Sequence, residues 1–283
     1  MLRLTHSQPL KYLLELQIFS GWQEKLSLIL INAVNTMGVE KHSVADSPEA
    51  FIADRFIAGI LGKPTWRVKC NNSVLLNCFN NGPNSFAYTK LECLNIDLIK
   101  TFEQIGFNLI DTNIQFERSK KRACRDMKLP SNYDMRFAQL DDRETVEKVA
   151  FTSFKYSRFH LDPLIPNKLA SDIKRSWAGN YFMGKRGDTM VVSTFQNKVV
   201  GFLQLLLNGN TYIIDLIAVE KSHQGKGLAG KMIEFAAAKC CEWITMSVGT
   251  QLSNIPSINL YQKLGFRICN SSYVFHYHGP VQS

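Results

Sequence analysis

No Cys-x-x-Cys pair occurs in this 283-residue chain, and its seven cysteines, at positions 70, 78, 93, 124, 240, 241 and 269, are odd in number. A disulfide framework and a zinc knuckle both lose their basis, and reduced thiols in a cytoplasmic protein become the expectation. Long apolar runs are missing as well. Leu26-Ser-Leu-Ile-Leu-Ile31 is preceded by Glu15, Gln17, Gln23, Glu24 and Lys25, so neither a signal peptide nor a membrane span is expected. Glycine and proline stay at 17 and 9 residues, which excludes collagen-like and low-complexity classes. No internal repeat is visible.

The chain does carry a net charge of +9, which raises the question of a polyanionic partner. The excess is spread evenly, with sixteen basic and twelve acidic residues up to Lys128 against seventeen and twelve after it. The one dense run, Arg118-Ser-Lys-Lys-Arg-Ala-Cys-Arg125, holds no aromatic side chain on which a base could stack. It reads as a solvated linker, and nucleic acid is not an expected partner.

That run also divides the pattern. Length favours two domains, placed at 1–128 and 129–283. In the first, residues 10–37 have helical spacing, with Leu13, Leu14, Ile18, Leu26, Ile29 and Leu30 as expected core. Apolar runs follow at 51–60, 73–79, 86–91 and 109–116, with a helix over 96–105 stopped by Gly106, so this part reads as a small α/β module without a nameable chemical motif. The second part predicts strands at 135–138, 189–195, 199–207, 211–219, 243–248, 267–269 and 273–278. Helices are predicted over 141–154, 167–177, 228–241 and 255–264. The fold class is α/β, a mixed sheet with helices on its faces.

The densest signal is Asp215-Leu-Ile-Ala-Val-Glu-Lys-Ser-His-Gln-Gly-Lys-Gly-Leu-Ala-Gly230. Gly225, Gly227 and Gly230 satisfy the dinucleotide spacing, but five residues separate Val219 from Gly225, and the next strand ends in Gly249-Thr250 rather than an acidic residue. A phosphate-binding turn of another kind fits better. Glycines let backbone N–H groups approach a pyrophosphate, the start of a helix adds partial positive charge, and Lys226 adds a point charge at the rim.

A strand ending in Val219, then Gln224-Gly-Lys-Gly-Leu-Ala229, resembles the acetyl-CoA motif of the Gcn5-related N-acetyltransferase (GNAT) superfamily. Asn254, Tyr261 and the run Leu260-Tyr-Gln-Lys-Leu-Gly-Phe266 resemble its second signature. The segments Phe154-Lys-Tyr-Ser-Arg-Phe-His160, Gly249-Thr-Gln-Leu-Ser-Asn254 and Ser271-Ser-Tyr-Val-Phe-His-Tyr277 are similar to the TDP-fucosamine acetyltransferases. The resemblance implies acetyl-CoA as co-substrate, no metal, and a small amine acceptor, first of all a dTDP-linked 4-amino-4,6-dideoxy sugar. A protein, peptide or polyamine acceptor and a non-catalytic acyl-CoA-binding module stay open, as does the oligomeric state, monomer or homodimer.

By the same resemblance, pantetheine lies along Leu216, Ile217, Ala218 and Val219, with an oxyanion donor among the N–H groups of Leu216 and Ile217. CoA phosphates meet Gln224, Gly225, Lys226, Gly227, Leu228 and Ala229. Tyr261 is the expected general acid; it and Asn254, two helical turns apart, should face the cofactor sulfur together. Asp215, on the strand face of Ile213, Ile217 and Val219 by parity, is the candidate base through water. Some family members carry a glutamate two positions earlier, where Ile213 stands. His160 and His276 are weaker base candidates, and His276 and His278 share a face without a visible third metal ligand. Arg158 is the candidate clamp for an acceptor pyrophosphate.

Overall fold

The computed structural model describes residues 50–69, 84–120, 129–240 and 243–280. The helix expected over 10–37, the run 73–79 and the basic stretch from Lys121 onward lie outside the described residues. No described helix is long and apolar enough to cross a membrane, and Cys93, Cys240 and Cys269 form no disulfide.

Strand β1 (Phe51–Ala53), helix α1 (Arg55–Leu61), β2 (Thr65–Val68), β3 (Phe86–Glu92), α2 (Ile96–Gln104) and β4 (Asn108–Ser119) come from the first part of the chain. Short polar side chains start both helices: Asp54 accepts from the Ile57 N–H and Asn95 from that of Leu98. The second part supplies β5 (Tyr133–Phe137), α3 (Arg143–Ser153), the short α4 (Arg158–Leu161), α5 (Asn167–Phe182), β6 (Thr189–Phe195), β7 (Lys198–Asn208), β8 (Thr211–Val219), α6 (Leu228–Lys239), β9 (Thr245–Gln251), α7 (Ile255–Lys263) and β10 (Arg267–His278). Helix α5 runs a turn and more beyond its expected end at Trp177. The two expected C-terminal strands are one, bridged by an irregularity between Ile268 and Asn270.

All ten strands form one mixed sheet in the order β1-β2-β3-β10-β4-β9-β8-β7-β6-β5. Strand β4 therefore lies between β9 and β10, antiparallel to each, with Asn113 opposite Gln251 and Ser272. Helices cover both faces. Ile214, Met232, Ile233, Val248 and Phe116 pack on the α6 side, and Val146, Ala178, Phe202 and Leu216 on the α3/α5 side. A further cluster, with Ile57, Phe86, Phe159 and Ile173, joins α1 and β3 to α4 and α5.

Arg118 corrects the linker reading. It is a strand residue of β4, 2% exposed, with its guanidinium paired to Glu234 of α6, donating to the Leu264 carbonyl at 3.1 Å and lying 4.8 Å from the Phe266 ring. Strand alternation points it inward, and the partners that neutralise it come from distant positions.

Candidate active site

Strand β8 carries the decisive irregularity. Gln204 of β7 pairs with Leu216, while the next residue, Leu205, pairs with Ile214, so Asp215 is the extra residue of a β-bulge. Before the bulge, Thr211 to Ile214 also pair with Thr245 to Val248 of β9; beyond it no pairing with β9 continues. The strands separate there, and one backbone edge of residues 216–219 faces open space. The gap belongs to a cavity of about 640 Å³.

The bulge also overturns the parity expected of Asp215. Ile217 and Val219 pack with the α6-side core, whereas Asp215 meets groups of α5 and β7 on the other face. Its carboxylate is gripped by Arg186 through bonds of 2.6 and 2.7 Å and also accepts from Trp177 Nε1 at 3.1 Å and Gln204 Nε2 at 3.0 Å. These four bonds hold the carboxylate against the α5 side of the sheet.

The glycine turn closes one end of the cavity. Gly225 and Gly227 have φ of 77° and 78°, with open space where a Cβ would stand, so backbone conformation rather than crowding calls for glycine. Gly227 caps α6, and the N–H groups of Leu228, Ala229 and Gly230, unbonded within the helix, lie at the cavity wall. Gln224 Nε2 donates to the Val219 carbonyl at 2.8 Å and pins the turn to the strand end. Lys226 behaves differently from expectation: its ammonium donates to Tyr133 Oη at 2.8 Å and lies over that ring, and it is absent from the cavity lining.

Opposite, Asn254 and Tyr261 both line the cavity. Asn254 precedes α7 as its cap, accepting from the Ser257 N–H at 3.4 Å and donating to Thr250 Oγ1 at 3.1 Å. Tyr261 is 2% exposed between the rings of Phe116 and Phe266. Burial raises its pKa above the ordinary phenol value, partly offset by a side-chain hydrogen bond with Ser257, so its hydroxyl keeps its proton.

Comparison with known proteins agrees with this geometry. Residues 155–266 match the model of the acetyltransferase (GNAT) family. That segment, about two fifths of the chain, is a GNAT domain. A spore coat polysaccharide biosynthesis protein, SpsD, of Bacillus subtilis (strain 168) is 30% identical over 151 residues, 53% of this chain and 52% of its own. Streptothricin acetyltransferase of Escherichia coli is 36% identical over 74 residues, 25% of this chain and 42% of its own. This chain thus spans about half the length of the curated relatives it matches. The crystal structure of a GCN5-related N-acetyltransferase from Sphaerobacter thermophilus shares the fold, with a TM-score of 0.55 at 10% identity over 82% of this chain and 77% of that one.

Two polar groups, one of them at the cleft, escaped sequence reasoning. Ser157, a cavity-lining residue that caps α4, places Oγ 2.6 Å from His160 Nδ1. Burial, then the nearby Lys174 charge, lowers the His160 pKa to about 4, so the ring is neutral. The second group supplies the partner that His276 and His278 lacked. Asp162 Oδ2 lies 2.6 Å from His276 Nδ1 and 2.8 Å from His278 Nε2, all three donor atoms within 4.8 Å of one another. Those contacts are shorter than the roughly 3.3 Å edges expected around a metal with 2.0–2.1 Å bonds, and they suit hydrogen bonds. No adjacency in sequence signals this cluster, because Asp162 comes from the loop after α4 and the histidines from β10.

Proposed function

We propose that the chain is an acetyl-CoA-dependent N-acetyltransferase acting on the amine of a small sugar nucleotide, first of all a dTDP-linked 4-amino-4,6-dideoxy sugar. The observation that carries the reading is the separation of β8 from β9 beyond the Asp215 bulge, with the glycine turn at its end. The backbone edge of residues 216–218, ahead of the Val219 carbonyl that Gln224 occupies, supports amide-to-backbone pairing with pantetheine, and the N–H groups opening α6 suit its pyrophosphate. The Bacillus relative is described as a spore coat polysaccharide biosynthesis protein, which supports a sugar acceptor.

In this mechanism the neutral amine attacks the thioester carbonyl while an N–H of Leu216 or Ile217 takes the developing oxyanion. Tyr261 then gives its proton to the departing thiolate, and the proton shed by the nitrogen as the amide forms passes through solvent to restore the phenol. Tyr261 is suited to this because it stays protonated in a dry site until negative charge develops beside it. None of the side chains named as candidate bases from the sequence is placed to act as one. Asp215 is occupied by Arg186, and a histidine held near pKa 4, as His160 and His276 are, binds a proton weakly at neutral pH. Asp215 acts instead as a positioning residue, fixing Arg186 and Trp177 beside it, and the amine reacts through its neutral fraction.

The test is thiol release from acetyl-CoA against a panel of dTDP- and UDP-amino sugars, with peptides and polyamines alongside. Transfer confined to the peptides or polyamines would overturn the sugar assignment. Tyr261→Phe should lower kcat about 100-fold with little change in the KM for acetyl-CoA. Unchanged turnover would remove Tyr261 from the mechanism, and tight CoA binding without any transfer would favour a silent module.

A further inference from the structure

We propose that a diphosphate on the acceptor is held in a cationic recess built jointly by the two parts of the chain, with Lys90 and Tyr88 of β3 facing Arg158 and Lys174 of the GNAT domain. The inference rests on the transferase reading and assigns the part before residue 128 a role in acceptor recognition. Arg158 lies with its guanidinium 3.7 Å from the centre of the Tyr88 ring and 4.4 Å from that of Phe159, and its buried Nη1 has no hydrogen-bond partner. The Lys174 ammonium lies 4.9 Å from the ring centres of both Phe154 and Trp177 at the cavity wall. Lys90 reaches only the Asn113 carbonyl oxygen, at 3.4 Å. Among the described residues none of the three forms an ion pair with a carboxylate, in contrast to Arg186, which is saturated by Asp215.

The charge balance of the recess defines its ligand. Lys90 and Arg158 each feel the charges of Arg67 and of one another, and Lys174 feels those of Arg158 and Lys90. The remaining carboxylates near them are Asp54, which caps α1 and accepts from Tyr88 Oη at 2.7 Å, and Asp111. Burial raises Asp111 to about 6, so it is still mostly ionised at neutral pH and counts as one negative charge. Four cations against two carboxylates leave a surplus of about two positive charges, which a diphosphate diester neutralises. Burial first, then repulsion from neighbouring cations, lowers both Lys90 and Lys174 to about 8, a cost that a bound dianion relieves. The recess is also distinct from the place of the CoA phosphates. Lys174 adjoins Asp215, and the glycine turn follows Val219, roughly 13 Å further along an extended strand.

The experiment is calorimetric titration of the full chain, first saturated with CoA, with inorganic pyrophosphate and with dTDP. Binding of dTDP that weakens about tenfold in both Lys90→Gln and Lys174→Gln is expected, as is a loss of affinity as pH rises through about 8, where the lysines give up their protons. The Lys90→Gln variant should raise the KM for a sugar-nucleotide acceptor while leaving the KM for acetyl-CoA and the melting temperature unchanged. No dTDP binding to the CoA-saturated chain, or binding that both variants leave intact, overturns the recess and leaves the transferase reading standing. Failure of CoA to bind would sink that reading instead, and titration of the unsaturated chain would still decide the recess.

Discussion

His276→Phe should remove a defined part of the chain's acid sensitivity. The imidazole is fully buried, 4.9 Å from the Phe86 ring, with Nδ1 on Asp162. Burial, opposed by the Asp162 hydrogen bond, lowers its pKa from 6.5 to about 4. Above pH 6.5 the ring is neutral in folded and unfolded chains alike, and its full contribution is present. As the pH falls from 6.5 towards 4, the unfolded chain takes up a proton that the folded chain refuses, so stability declines. At 1.36 kcal/mol per pKa unit the loss reaches about 3 kcal/mol, and roughly 2.5 kcal/mol of it has occurred by about pH 4.5. For a chain of this size that corresponds to a fall in Tm of about 5–10 °C. Asp162 adds to the loss only below its ordinary carboxylate range, because the histidine hydrogen bonds outweigh its desolvation and lower its pKa.

The variant begins at a disadvantage of about 1–3 kcal/mol at neutral pH, since Asp162 loses one donor and keeps His278 and the Leu164 N–H. Urea unfolding followed by tryptophan fluorescence, at about pH 7 and about pH 4.5, measures both quantities. Stability should fall less between the two pH values in the variant than in the parent. His160, with the same direction of shift, contributes equally to both chains and cancels in the difference. An equal fall in the two chains would refute the argument.

Two further outcomes follow from single contacts. Glu234→Gln leaves the buried Arg118 guanidinium without its counter-charge and should cost about 3–5 kcal/mol in urea unfolding. Gly227→Ala meets no neighbouring atom but must hold φ near 78°, so it should cost about 1–2 kcal/mol and weaken CoA binding by calorimetry without abolishing folding.

Much of the site is legible in the sequence because it depends on local features. The glycine turn, Gln224 and the segment from Asn254 to Tyr261 are each set by residues within a few positions of one another, so their local structure can be read in one dimension. Asp215 shows where that stops. Counting strand parity assumes regular pairing, and a bulge is a property of two strands together, so its side chain faces opposite to the count. Arg118 failed in the same way, because a basic run gives no sign that one member will be threaded into a sheet against Glu234. The Asp162 cluster depends on contacts between segments more than a hundred residues apart, and the surroundings of Arg158 on a contact with Tyr88 seventy positions away, so no local spacing records either.

The position of β4 between β9 and β10 has a consequence for how the chain is made. Strands β3 and β4 emerge early, yet each has an edge that pairs only with residues 267–278, and β4 has a second that awaits residues 245–251. Closing such distant pairings is entropically slow, and open strand edges invite association with other chains while they wait. The nascent polypeptide therefore carries unfinished sheet through most of its synthesis. Its solubility in that interval depends on whatever shields those edges until β10 arrives to close them both.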